Sequence, residues 1–452
     1  MPTDESDVIY KVCAAAEWRE AVARGSYAGS AVDLRDGFIH FSTGAQLAET
    51  LRRHFAGRRD LVRVAFDPSA LGPALRWEPS RGGDLFPHLY GALPAVLARS
   101  TSYLDVDEGG EARVRPAPEA GVTSLPRVDL LDLSHAEARR LLARGMPVYL
   151  PVNPVEYHGP HLSLRNDHLV SMGLAADLHA RIAGGEGRDP WPFVVASSVE
   201  AGVEPVAGIG SRPVDFRTVR RLAIDACEAL IALGARRIVI MTFHGAPLHA
   251  HALDAAVQAC EARGVPAIQP LNLLMRQMMS IEPGAYADLV AHVDDGAERA
   301  AILDELHVDF HAGFAETSLA LHYAKGSVDD VYQRLPPCPT ITPDAALMKA
   351  AQVATAAGKS ELALELRVAA FGRGWAALRP FPGYTGRPHR ASAGTGALLA
   401  RRIVDGYVTT TRDVFAGGES PRPIMPWIVS TTLGGLIPGM SVPIDEVMKF
   451  GT

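Results

Sequence analysis

The chain has 452 residues, 48% of them hydrophobic and 21% charged, a globular balance that excludes a wholly disordered protein. At roughly 100–200 residues per domain the length leaves room for about two to four domains. A net charge of −7 speaks against a general nucleic-acid binder, and four scattered cysteines (Cys13, Cys227, Cys260, Cys338) exclude a disulfide framework or a zinc ribbon.

In chain order, the first seven residues are acidic and polar rather than basic and then apolar, so no secretory signal is read there and a soluble cytoplasmic protein is expected. Residues 1–104 read as a small α+β domain. It opens with a strand at 9–12 and a helix around Trp18, and continues through Asp36–Thr43, Arg76-Trp77-Glu78 and Leu85–Gly91. Residues 105–127 are dominated by charge, glycine and proline without an apolar period, and are expected to be a linker.

Residues 128–452 form the larger domain. Strand-like runs at 128–133, 147–152, 193–196, 237–242 and 266–269 alternate with helical patterns at 136–144, 168–182, 214–233 and 248–263. Such alternation specifies an α/β fold with a mostly parallel sheet flanked by helices, in which ligands bind beyond the carboxyl ends of the strands. At the end, 423–444 carries no charge but contains four prolines and a Gly-Gly pair. A lipid-exposed helix of that content would leave backbone groups unpaired, so no membrane span is expected; the segment reads as an arm packed on the body or on a neighbouring subunit.

The chemistry concentrates at three predicted strand ends. Residues 147–152 run into Glu156, His158 and His161, with Asp167 shortly after; 237–242 lead into His244-Gly245; a later segment carries His311 and Glu316. Imidazole and carboxylate without thiolate suit Zn²⁺, Mn²⁺ or Fe²⁺, and ligands from separate strand ends build an open site with room for water. Isolated histidines such as His54, His135 and His249 are read as surface or hydrogen-bonded residues. Gly208-x-Gly210 is read as a turn near the site mouth, and Tyr157, Trp191 and Phe243 as candidate pocket residues.

Glu156-x-His158-Gly159-x-His161-Leu162 followed by Asp167 resembles the opening motif of the creatininase family of metal-dependent amidohydrolases. His244-Gly245 is similar to its central motif and His311-Ala312-Gly313-x-x-Glu316-Thr317-Ser318 to its third. Gly386-Arg387-Pro388-His389-Arg390-Ala391-Ser392 is similar to a late stretch of the same family. The resemblance spans about 128–414. It implies two divalent metal ions per chain, Zn²⁺ first and Mn²⁺ or Fe²⁺ as alternatives. Glu156 and His244 would hold one, His158 and Glu316 the other, and Asp167 would bridge them. His161 would orient a ligand, and His311 would pass a proton to the departing nitrogen. Apart from the resemblance, Glu204 is the next residue to try for that proton transfer should His311 prove dispensable.

The implied reaction is hydrolysis of a non-peptide C–N bond in a small amide substrate (a cyclic amide, lactam or formamide) by a metal-activated water. A lyase or isomerase using the same site, or a metal-binding module without turnover, are the rival readings. Homo-oligomers are also implied, with 427–444 contributing to the interface. Two departures stand out: Ala246-Pro247 follow His244-Gly245, so Glu316 must supply the second metal's carboxylate, and Phe314 stands where glutamate is common. The amino-terminal domain resembles a small bacterial family of unknown function, number 952 in its series, with a fold similar to ADP-ribosyltransferases. His40, Ser42, Glu78 and His88 offer polar groups for a nucleotide pocket there. Because a shared fold does not establish an activity, the domain is read as a non-catalytic module.

Overall fold

The computed structural model describes residues 8–24, 26–79, 83–94, 97–115, 127–183, 191–434, 436 and 447. The chain divides into two compact units, 1–123 and 124–452.

The first unit is built on an antiparallel sheet in the order Ala112–Arg115, Ala98–Val106, Leu61–Phe66, Ile9–Ala14, Ser42–Thr43. Ile9, Val62, Val64 and Phe66 point to one buried face, where they meet Trp18 of the helix Ala15–Arg24. A second, three-stranded antiparallel sheet joins Ile39–His40, Leu85–Leu89 and Leu75–Pro79. The linker expected over 105–127 is corrected in its first part. Ala112–Arg115 pairs with Ala98–Val106, Val114 lying opposite Leu104, so 105–115 completes a hairpin of this unit. Its charges had hidden a strand that lies at the sheet's edge, where side chains face water. Residues 116–126 of that expectation lie outside the described residues, and Arg127, its last residue, opens the strand Arg127–Asp129 of the second unit.

The second unit carries the expected parallel sheet, in the order Arg127–Asp129, Phe193–Val195, Val148–Asn153, Ile238–Met241, Ala267–Ile268, and Val199–Glu200 pairs with the far end of Val148–Asn153. Alternation along the strands divides two cores. Tyr149, Val195, Val239, Met241 and Ile268 face the helices Asn166–Ile182, Phe314–Tyr323 and Ala393–Phe415. Val148, Leu150, Val152, Ile238 and Ile240 face His135–Leu142, Phe216–Leu233 and Pro247–Ala262. Helices on both faces explain why the strands read as continuous apolar runs. The predicted strand at 128–133 ends early, because Leu130–Asp132 turns into a short 3₁₀ segment.

From the central strand Val148–Asn153 the chain passes first to a neighbour on one side and later to Ile238–Met241 on the other. The carboxyl end of the central strand is therefore the switch point of the sheet, where a crevice opens. The carboxy-terminal arm packs on its own unit over its described part. Met425 N and the Trp427 indole N–H both donate to the buried Glu365 carboxylate, and Arg276 donates to the Arg422 carbonyl. No helix among the described residues is long and apolar enough to cross a membrane.

Candidate metal centre

At the switch point the chain leaves Val148–Asn153 and turns through Glu156 and His158 before Asp167 enters the first turn of Asn166–Ile182. His244 follows Ile238–Met241, and Glu316 sits in the first turn of Phe314–Tyr323. Both helical carboxylates thus lie at the positive ends of helix dipoles, which stabilise them in a buried setting. Asp309 holds the second of these helix starts, accepting from Phe314 N and Ala315 N. Its contact with the backbone of Gly313 is so close that a Cβ there would meet Asp309 Oδ1 at 1.6 Å. Burial pushes the Asp309 carboxyl up to about 7.

The sequence-expected residues fall into overlapping groups whose ligand atoms lie within 4.8 Å of one another: Glu156, Asp167 and His244; His158, Asp167 and Glu316; Glu156, His158 and His311. Asp167 belongs to two of them. His158 Nε2 lies 3.1 Å from Asp167 Oδ1 and 3.4 Å from Glu316 Oε1. His244 Nδ1 lies 2.8 Å from Glu156 Oε2 and 3.8 Å from Asp167 Oδ2. All five side chains are buried.

Hydrogen bonds on the far side of each ring fix what faces the centre. His244 Nε2 donates to the Val203 carbonyl at 2.8 Å, and His158 Nδ1 donates to the Glu156 carbonyl at 3.1 Å. A carbonyl oxygen only accepts, so the neutral rings direct the lone pairs of His244 Nδ1 and His158 Nε2 at the carboxylates. Glu156 Oε2 and Asp167 Oδ2 are buried without a hydrogen bond, the 2.8 Å approach of His244 to the former lying off a hydrogen bond's line. Lone pairs and orphaned carboxylate oxygens converging in a buried space match the donor set of a divalent cation. Without a cation, protons take its place. Burial alone would lower the His244 imidazole, but Glu156 and Asp167 outweigh it and hold the ring at about 9. Burial would raise the Glu156 carboxyl, but the His244 and His158 charges pull it down to about 2.

His311 lies against His158, ring centroids 4.5 Å apart and 24° between planes, and the Trp375 ring centroid is 5.3 Å from it. Its Nε2 donates to the Tyr157 carbonyl at 3.1 Å, leaving Nδ1 as the lone pair. Burial, reinforced by the His158 charge, lowers the ring to about 3. His161 bonds Thr317 Oγ1 at 2.8 Å and belongs to none of the ligand groups. The Tyr157 ring fills the space beside Gly208, where a Cβ would lie 2.2 Å from it. Trp191 packs against the core that faces His135–Leu142, Phe216–Leu233 and Pro247–Ala262, beside Arg237, with its carbonyl accepting from His179. Phe314 points into the core, parallel to His292, so the acid lost at that position does not change a group facing the cluster.

Several supporting residues escaped the sequence reading. Asn166 donates to Glu316 Oε1, and Val206 N donates to Glu156 Oε1 at 2.6 Å. His249, read as a surface or hydrogen-bonded residue, is hydrogen-bonded and fully buried, with its ring 5.1 Å from His244 and Nδ1 accepting from Val203 N; its place beside the cluster was not read. Its five-residue offset from His244, across the start of a helix, was the available signal. Glu204 and Ala312 adopt left-handed backbone at φ 56° and 47°, a strained conformation that collects at functional sites. Glu204 lies between the two backbone groups that grip His244 and Glu156, and Ala312 N donates to Glu316 Oε2.

A doubly flanked parallel sheet with a buried histidine–carboxylate cluster at its switch point defines an α/β protein with a metal-competent site. The family model for creatinine amidohydrolase matches residues 131–411, more than half of the chain, and the chain belongs to this creatininase family. The model for "Protein of unknown function (DUF952)" matches residues 12–98. Among solved structures, "Creatininase Mn" is 20% identical, covering 64% of this chain and 99% of its own, with a TM-score of 0.40. A structure of creatinine amidohydrolase (creatininase) is 20% identical, covering 64% and 98%, with a TM-score of 0.41. Protein CC0527 from Caulobacter crescentus is 46% identical, covering 24% of this chain and 93% of its own, with a TM-score of 0.23. No curated protein matches the chain.

Proposed function

We propose that this member of the creatininase family hydrolyses a non-peptide C–N bond in a small amide, either a cyclic amide, a lactam or a formamide, with two divalent ions per chain. The observation that carries the proposal is the pair of orphaned buried oxygens, Glu156 Oε2 and Asp167 Oδ2, facing the ring nitrogens of His244 and His158 whose opposite nitrogens are held by backbone carbonyls. In this reading Glu156 and His244 hold one ion, His158 and Glu316 the other, and Asp167 touches both. Zn²⁺ is the first choice, with Mn²⁺ or Fe²⁺ as alternatives on the same donor chemistry. Ions in this donor set supply Lewis acidity, polarising a carbonyl oxygen and making water more acidic near neutral pH.

The chain's own groups do the rest. Val203 O and Glu156 O fix the ring orientation of His244 and His158, and Asn166 and Ala312 N fix Glu316. His161 steadies the helix start through Thr317. Burial keeps His311 neutral at pH 7, so its Nδ1 is free to take a proton and return it to the leaving nitrogen, while the Tyr157 carbonyl holds the other nitrogen. Trp375 packs against this ring, its centroid 5.3 Å away.

The test is turnover of lactams, cyclic amides and formamides by metal-loaded protein in ¹⁸O-water. Hydrolysis places one labelled atom in the new carboxylate. A product without label would instead indicate a lyase or isomerase, and absence of turnover across the screen would indicate a binding module. The reading extends to a homo-oligomer in which 427–444 contributes to the interface. Leu433 and Leu436 stand 61% and 65% exposed there, and a monomer by light scattering at micromolar concentration would overturn it. The proposed location is the cytoplasm, which cell fractionation tests.

A further inference from the structure

The three-stranded sheet of the first unit carries an unusual face. Strand register sets His40 opposite His88, and His88 opposite Arg76, so three basic side chains form one row across the sheet. Two residues along the same faces stand Phe38, Tyr90 and Glu78, because side chains two apart in a strand share a side. The intervening Ile39 and Leu89 belong to the core on the other side.

Each histidine of the row is oriented by a carboxylate through Nδ1. His88 Nδ1 lies 2.9 Å from Glu78 Oε2, and Tyr90 OH donates to the same carboxylate. His40 Nδ1 lies 2.8 Å from Asp33 Oδ1. Asp33 is the hub of a buried network, accepting also from Lys11 Nζ at 2.6 Å, from Ser30 N and Oγ at 2.7 Å each, and from His40 N at 3.0 Å. A buried ion pair is expensive to assemble and here it ends on an imidazole ring. Phe38 stacks on His88 at 4.3 Å and packs beside His40 and Tyr90, and Arg76 lies over the Tyr90 ring at 4.5 Å.

With Nδ1 committed in both rings, Nε2 is the atom left to act. His40 Nε2 has only Asp36 Oδ2 nearby, at 3.6 Å, and His88 Nε2 has no hydrogen bond although the residue is buried. A metal site is disfavoured: the groups of three or more potential ligands found among the described residues all lie in the second unit. Two imidazole nitrogens and an arginine fork on an aromatic bed suit an anion instead.

We infer that the row His40–His88–Arg76 is a binding site for a small organic phosphate, whose oxygens take hydrogen bonds from the two Nε2 atoms and the Arg76 guanidinium. Phe38 and Tyr90 form the bed beneath it. Nδ1 of each ring stays with its carboxylate, Asp33 or Glu78, so the phosphate is met through Nε2. The site is independent of the amidohydrolase reading.

The experiment is isothermal titration calorimetry of the full chain with inorganic pyrophosphate and with adenosine 5′-monophosphate. The expected result is saturable binding of at least one probe. Arg76 is exposed, so Arg76→Ala leaves the fold intact and should weaken binding by about tenfold or more, as should His40→Gln. The inference is overturned if neither probe binds the parent at millimolar concentration. Equal affinity in the parent and in both variants would place the anion elsewhere and overturn it as well.

Discussion

Asp167 is the residue on which the two halves of the candidate centre depend, since it belongs both to the group with Glu156 and His244 and to the group with His158 and Glu316. Asp167→Asn keeps the shape and removes one of three carboxylates. Two divalent ions carry four positive charges, so the local balance with Glu156 and Glu316 ionised moves from about +1 to about +2. Neutralising one member of a buried charge pair costs about 3–5 kcal/mol. At about 1.4 kcal/mol per factor of ten, the weaker ion should lose at least about a hundredfold in affinity. The assay is metal content by mass spectrometry after gel filtration in metal-free buffer, with circular dichroism as a control for folding. The parent should retain about two ions per chain and the folded variant one or none. A folded Asp167→Asn protein that holds both ions as tightly as the parent would refute the shared-ligand reasoning.

His311→Ala should retain the full metal content and lose about 10²–10⁴ in turnover, because its proposed task is proton transfer; normal turnover would move that task to another group. Gly208→Ala would place a methyl 2.2 Å from the Tyr157 ring, and Tyr157 also holds His311 through its carbonyl. Activity should therefore fall, and because the clash is with the Cβ and Cγ of Tyr157 the urea midpoint should fall with it; unchanged kinetics would contradict that coupling. Glu298 bonds Arg390 and His389, and the Arg390 hydrogen bond leads the interactions that hold its carboxyl at about 2, below the ordinary 4.5. A depressed carboxyl contributes stability above its unfolded value and loses it as pH falls. The urea midpoint of the parent should therefore exceed that of Glu298→Gln above about pH 5, and the two should converge toward pH 2. A gap that stays constant with pH would refute this account.

The parallel sheet was legible because its strands are buried on both faces and read as short apolar runs between amphipathic helices. Glu156, His158, Asp167 and His244 were legible because strand ends deliver them within short stretches of chain. Asn166 and His249 were not, since an asparagine beside a candidate ligand and a histidine inside a helix look like ordinary residues until the far side of each ring is seen. The hairpin at 98–115 was missed for a related reason: its edge strand faces water, and its charges imitate a connector. Phe314 looked like a change in the site and belongs to the core, because the first turn of its helix divides its side chains between the two. In the first unit, Arg76, His88 and His40 are far apart in sequence, and only strand register aligns them in a row.

The central claim is that Asp167 is shared between two ions held by this chain's own side chains. An anomalous-scattering map from crystals of protein purified without chelator and supplied with Mn²⁺ or Zn²⁺ tests it most directly. The account predicts two anomalous peaks per chain, one against Glu156 and His244, the other against His158 and Glu316, and both within ligand distance of Asp167. A single peak, or two peaks of which one does not touch Asp167, would contradict it.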